Sequence, residues 1–161
     1  MAVFETLNLP AFPVRTIRKP DGSVAIYDGL RRKYVAATPE EWVRQHFVNY
    51  LVAGLGFPNA FIANEKGIRL NDTARRCDTV IYTRHLQPLC IVEYKRPSVE
   101  ITAAVFDQIA RYNMVLKAPF LIVSNGMKHY CCRYSGDSYS FLTEIPSYDE
   151  MSRIAIGGTA G

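Results

Sequence analysis

Asp78, Glu93 and Lys95 are the residues whose types and spacing point most directly to chemistry. Arg76–Thr83, with Val80 and Tyr82 alternating with Thr79 and Ile81, reads as a β-strand. Pro88–Lys95, with Leu89, Ile91 and Val92, is apolar enough to be an interior one. If Arg84–Gln87 connects them, Thr83 faces Pro88, and the same register puts Asp78 directly across from Glu93. Opposed residues of an antiparallel pair lie about 4.5–5.5 Å apart at Cβ, near enough for two carboxylates to hold one cation. Glu93 and Lys95 are two apart and share a face, at roughly 7 Å along the strand. A one-residue slip would disperse the cluster. Two facing carboxylates repel and lose solvation, so leaving them unneutralised is costly. A hard divalent ion removes the repulsion, and Mg²⁺ is commonly held by one or two carboxylates with waters and phosphate oxygens. An amine beside it is placed to orient or deprotonate an attacking water. That set of groups suits metal-assisted phosphodiester hydrolysis. The spacing also admits a purely structural reading, with Glu93 and Lys95 as a same-face ion pair and Asp78 paired to Arg75 or Arg76.

The rest of the chain must position that hairpin. At 161 residues, 48% hydrophobic and 21% charged, the sequence has the length and composition of one globular domain, expected over residues 1–150. Residues 1–23, with Pro10, Pro13, Pro20 and Asp21-Gly22, read as an arm or short edge strands. Residues 151–161, ending in a Gly-rich stretch, read as a flexible tail. The net charge of +4 is mildly basic and compatible with a polyanionic partner. No apolar run is long enough to span a bilayer and no basic-then-apolar leader is visible, so a cytoplasmic protein with no membrane partner is expected. Cys77, Cys90, Cys131 and Cys132 form no metal-ligand or disulfide spacing and read as small buried hydrophobes.

Val24–Tyr27 and Lys33–Ala36 read as a hairpin around Asp28-Gly29. Arg31, Arg32 and Lys33, which follow the turn, read as a solvated basic face or as phosphate contacts. Thr38 and Pro39 open a helix carrying Trp42, Val43, Phe47, Tyr50, Leu51 and Leu55, stopped by Gly54, Gly56 and Pro58. Strands follow at Ala60–Leu70, Arg76–Thr83 and Pro88–Lys95. A second helix, from about Ile101 to Lys117, carries Val105, Ile109, Tyr112 and Leu116 on one side. Phe120–Val123, His129–Tyr134 and Tyr139–Leu142 complete the strands. That order predicts an α+β fold, a mixed α/β sandwich around a central sheet.

Asp78, then Glu93-Tyr94-Lys95, resembles the PD-(D/E)XK nuclease motif, with Cys77 where the proline would stand. The surrounding sequence sharpens the likeness. Thr-Pro-Glu-Glu-Trp-Val-Arg-Gln opens a helix at residues 38–45, Gln108 and Tyr112 give Gln-x-x-x-Tyr in the next helix, and Phe120-Leu-Ile-Val-Ser-Asn-Gly follows as a strand. Together these are similar to the N-terminal nuclease domain of type I restriction enzyme R subunits, especially its small stand-alone relatives. The resemblance runs from about Tyr27 to Tyr134.

It implies a restriction-endonuclease-like fold with a central mixed sheet flanked by helices, and a Mg²⁺-dependent endonuclease or exonuclease acting on DNA, with Mn²⁺ able to substitute. Asp78, Glu93 and the backbone carbonyl of Tyr94 would be metal ligands, and Lys95 would act on the nucleophilic water. Glu41, or else Glu40, would approach from the first helix and hold a metal-bound water or a second ion; Glu41 also fits a capping box with Thr38. Gln108 and Tyr112 would lie beside the cluster, although Tyr112 also fits the apolar stripe of its helix. Arg75, Arg76, Arg96 and Arg111 would meet phosphates. No G-x-x-x-x-G-K-[ST] occurs, so no ATP-binding loop is visible, and a separate motor or specificity subunit, or a homodimer, is the expected partner. A non-catalytic nucleic-acid-binding or docking module on the same fold is the alternative.

Overall fold

In the computed structural model, the described residues are 4–70 and 73–157; the side chains of Leu70, Thr73, Arg75 and Tyr112 lie outside them as well. β1 (Thr16–Arg18), β2 (Val24–Asp28) and β3 (Lys33–Ala36) form a small antiparallel sheet. α1 (Pro39–Asn49) follows directly. Thr38 caps it by accepting the Glu41 amide at 3.1 Å, and Pro39 occupies its first turn. A π-helical turn, Tyr50–Gly54, extends it until Gly56, with φ at +74°, turns the chain away.

β4 (Ile62–Leu70), β5 (Thr73–Tyr82), β6 (Pro88–Tyr94), β7 (Phe120–Ser124), β8 (His129–Tyr134) and β9 (Tyr139–Leu142) form a six-stranded sheet in sequential order. Only β6 and β7 run parallel, joined by α2 (Ala103–Leu116). The sheet is covered on both faces. Val43 and Phe47 of α1 and Leu51 of the π-helical turn pack with Val92, Phe120 and Ile122, whereas Ile109 of α2 packs with Ile91, Leu121 and Val123. Alternate β7 residues thus enter opposite cores, which is why that strand is apolar throughout. The expected α+β class is the observed one. All four cysteines are buried free thiols. Among the described residues, no helix is long and apolar enough to cross a membrane.

Two expectations need correction. The β5–β6 connection is tighter than Arg84–Gln87: the Thr83 amide donates to the Gln87 carbonyl at 2.7 Å, and Tyr82, not Thr83, pairs with Pro88. The ladder then shifts by one, with Ile81 opposite Cys90 and Leu89 as the extra residue of a β-bulge. Without that bulge Asp78 would be aligned with Val92; with it, the ladder ends on the pair Thr79 and Val92, and Asp78 and Glu93 are the next residue on each strand, just past the last pair. The second correction concerns the tail. Tyr148–Gly157 is α3, its Ser147 and Glu150 side chains reciprocating as a cap. Tyr148 and Met151 are buried in the core, and the Tyr148 hydroxyl donates to the Tyr82 carbonyl at 2.9 Å. The helix forms because those two side chains seal the sheet; residues 158–161 lie outside the described residues.

Candidate active site

The paired part of β5 and β6 ends at Thr79–Val92. Beyond it β5 stays with β4, while Glu93 and Tyr94 stay with Val123 and Ser124 of β7. In this fork the two acids replace the missing ladder. The Tyr94 amide donates to Asp78 Oδ2 at 2.9 Å, and the Asp78 amide lies 3.4 Å from Glu93 Oε1. Lys95 follows at the carboxyl end of β6, the end at which open α/β sheets commonly bind ligands. Asp78, Glu93, Tyr94, Lys95, Glu41 and Arg76 line one cleft of about 500 Å³, closed on another side by Val35 and Ala36 of β3.

The electrostatics of the fork are one-sided. Glu93 is only 8% exposed, and burial together with the Asp78 carboxylate pushes its carboxyl well above the usual range. Burial and the same two acids push the Cys77 thiol up to about 12. Among the described residues no salt bridge involves Asp78, Glu93 or Lys95, so neither the Glu93–Lys95 pair nor an Asp78–Arg76 pair is formed; the Arg75 side chain lies outside them. Hard oxygen donors beside an unbalanced buried carboxylate fit a divalent cation such as Mg²⁺ or Mn²⁺. The fit rests on these two side chains: no group of three or more His, Cys, Asp or Glu suited to a metal occurs among the described residues.

Glu41 belongs to a different network. Its amide completes the helix cap, but its side chain turns inward, 5% exposed, and accepts from Arg31 Nη2 (2.7 Å), Arg44 Nη2 (2.8 Å) and Gln45 Nε2 (2.9 Å). Glu40 stays exposed at the rim. Burial raises the Glu41 carboxyl, yet its donors, led by Arg44, outweigh that and hold it below its ordinary value. Arg44 in turn reaches Glu65 Oε1 (2.7 Å) and the Asp78 carbonyl (2.8 Å), bolting α1 to β4 and β5. Glu65 meets it from a left-handed conformation, φ 59°, uncommon for a residue with a side chain.

Arg31 bridges Glu41 to Asp28, so it is neither a solvated cation nor a free phosphate contact. A buried chain runs on from Asp28 through Asn64 (3.0 Å) and Thr79 (2.7 Å) to the Tyr94 hydroxyl (2.9 Å). Burial raises the Asp28 carboxyl, but Arg31 and Asn64 more than compensate. For Asp28 and Glu41 the folded pKa lies below the unfolded one, so their contribution is complete above the ordinary carboxylate range and lost as pH falls through the folded values. Urea midpoints should therefore drop between about pH 5 and 3, less steeply in Glu41→Gln than in wild type. Equal slopes would contradict this pairing.

Asp28, Arg44, Glu65 and Thr79 join the site without having been expected there from the sequence. Arg44 and Gln45 stand three and four residues after Glu41, a helical spacing that could have revealed them. Asp28 and Glu65 come from remote strands and carry no local signal. Gln108 and Arg111 are exposed on α2, and Gln108 is not among the cleft-lining residues. Arg96 is exposed just past Lys95. The side chains of Tyr112 and Arg75 lie outside the described residues.

Comparison with known proteins places this arrangement. No curated protein matches the chain. Among solved structures, it is similar to a fragment assigned to an HsdR subunit of a type I restriction enzyme from Vibrio vulnificus YJ016, with a TM-score of 0.59 and 19% identity. That likeness covers 74% of this chain and 25% of the other, so it speaks for the fold alone, over a quarter of the longer protein. The family model for the type I restriction enzyme R protein N terminus matches residues 39–146, which carry α1, the fork and every strand of the large sheet. The chain belongs to that family of restriction enzyme R protein N-terminal domains.

Proposed function

We propose that this domain is a divalent-metal-dependent DNA nuclease, hydrolysing phosphodiester bonds at the fork between β5 and β6. The observation that carries the reading is the meeting of Asp78, Glu93 and Lys95 in one cleft, with the two acids unmatched by any ion-paired cation among the described residues. Mg²⁺ or Mn²⁺, held by Asp78, Glu93 and the Tyr94 carbonyl, would polarise the phosphate and make the attacking water more acidic. The Lys95 amine orients that water and offsets negative charge growing on the phosphate. Glu41 is a counter-charge rather than a ligand: it keeps Arg44 on the Asp78 carbonyl and so fixes that acid's backbone. Arg76 at the cleft, with Arg75, Arg96 and Arg111, meets DNA phosphates, and Gln108 and Tyr112 act on the DNA from α2. A separate motor or specificity subunit, or a second copy, supplies control.

Calorimetric titration of Mn²⁺ should give uptake that is stronger at about pH 7 than at about pH 5, because the proton held by Glu93 must leave. Asp78→Asn should abolish it. Plasmid nicking should follow the same ion dependence. Absence of both heat and nicking would sink the proposal, and salt-sensitive DNA binding that persists in EDTA without cleavage would make this a non-catalytic binding or docking module.

A further inference from the structure

The net charge of the protein is concentrated in one place. Residues 15–34 hold six cations and two acids, a net of +4, which equals the formal charge of the whole chain. These residues build the small sheet, and one acid, Asp28, is buried against Arg31. Among the described residues, no salt bridge involves Arg15, Arg18, Lys19, Arg32 or Lys33, all of which are exposed. Unlike the Arg44 network, this charge is directed at solvent.

The same sheet carries an aromatic row. Tyr27 and Tyr34 are direct cross-strand partners with ring centroids 5.2 Å apart, and the Arg15 guanidinium lies 4.7 Å above the Tyr27 ring. Tyr34 is 37% exposed. Arg15, Tyr27 and Arg32 also line a groove of about 500 Å³ between this sheet and α1. A guanidinium stacked on an aromatic row, with unpaired cations around it, is the chemistry that holds a nucleic-acid strand through its phosphates and base faces. Continuity gives the direction: β3 leaves the basic turn and ends at Val35 and Ala36, which line the candidate cleft.

We infer that the small sheet is a second DNA-contacting surface, on which a strand running out of the cleft lies with phosphates on Arg32 and Lys33 and a base against Tyr34. This deepens the nuclease reading and rests on it for the identity of the polymer. Its test is binding of a fluorescein-labelled DNA duplex with a single-stranded extension, followed by anisotropy over a salt series in EDTA, where no metal-dependent cleavage interferes. Arg32 has a φ of 53°, so it is replaced by Asn, which tolerates that conformation. Arg32→Asn with Lys33→Gln should lower the slope of log affinity against log salt by about 1.4–1.8. Tyr34→Ala should weaken binding about tenfold with the slope unchanged. A control that removes two cations elsewhere, Lys128→Gln with Arg153→Gln, should leave the slope as it is. An unchanged slope in the first variant, an equal fall in the control, or wild-type affinity in Tyr34→Ala would each overturn the inference. Wild-type plasmid nicking in Mn²⁺ is measured in parallel. Nicking with unchanged slopes leaves the nuclease reading standing without this surface, and lowered slopes without nicking leave the surface standing without the nuclease.

Discussion

Lys95→Ala should lower the rate of Mn²⁺-dependent plasmid nicking by roughly 10²–10⁴-fold, the range typical of a positioned acid–base group. The ion should still bind, because Asp78, Glu93 and the Tyr94 carbonyl are untouched. Asp78→Asn should instead lose both, since it halves the charge available to the cation and loosens the acceptor for the Tyr94 amide. The two variants therefore separate chemistry from ion uptake when kinetics and calorimetry are run on the same preparations. Wild-type rates in Lys95→Ala would remove the amine from the mechanism. Lys95 is half-buried and forms no salt bridge among the described residues, so a urea midpoint measured alongside the rate separates a folding defect from a loss of chemistry.

Arg44→Ala should be the most destabilising single change in the cleft. The guanidinium is 6% exposed and serves Glu41, Glu65 and the Asp78 carbonyl at once. Removing one partner of a buried pair leaves an uncompensated charge, at a cost of about 3–5 kcal/mol. Urea denaturation should show that loss at pH 7. Arg44→Lys should recover only part of it, because an ammonium has no planar fork to reach three acceptors. A change within about 0.5 kcal/mol of wild type, the size usual for a plain surface substitution, would mean that the network does not hold α1 to the sheet.

Much of this arrangement was legible in the chain because its signals are local. Thr38-Pro39 marks the start of α1, the uninterrupted apolar run at Phe120–Val123 marks a strand covered on both faces, and the fork acids follow from strand parity. A loop over Arg84–Gln87 predicts Asp78 opposite Glu93, whereas the chain reaches that offset through the bulge at Leu89 and the ladder stops one residue short, at Thr79 and Val92. Bulges of this kind depend on how the hairpin packs and leave little trace in composition. The glycines near the end of the sequence suggest an unstructured tail, whereas Ser147-x-x-Glu150 just before it is the capping signature on which α3 begins. The Asp28–Arg31–Glu41–Arg44–Glu65 network joins β2 and the turn after it to α1 and β4; Asp28–Arg31 and Glu41–Arg44 are each three apart, but no spacing rule connects those two pairs to each other or to Glu65. Charge runs such as Arg31-Arg32-Lys33 are ambiguous for the same reason: the first is half-buried in an ion bridge and its neighbours face water.

The hydrogen-bonded path from Asp28 through Asn64 and Thr79 to Tyr94 links the outer three strands to the floor of the fork. Buried polar links of this sort are costly to break one at a time, so the strands they join tend to open as one cooperative unit rather than fray separately. Linked in this way, β2, β4, β5 and β6 should keep the walls of the cleft in one arrangement, so the backbone there is expected to shift by no more than about 1 Å when the cleft is filled.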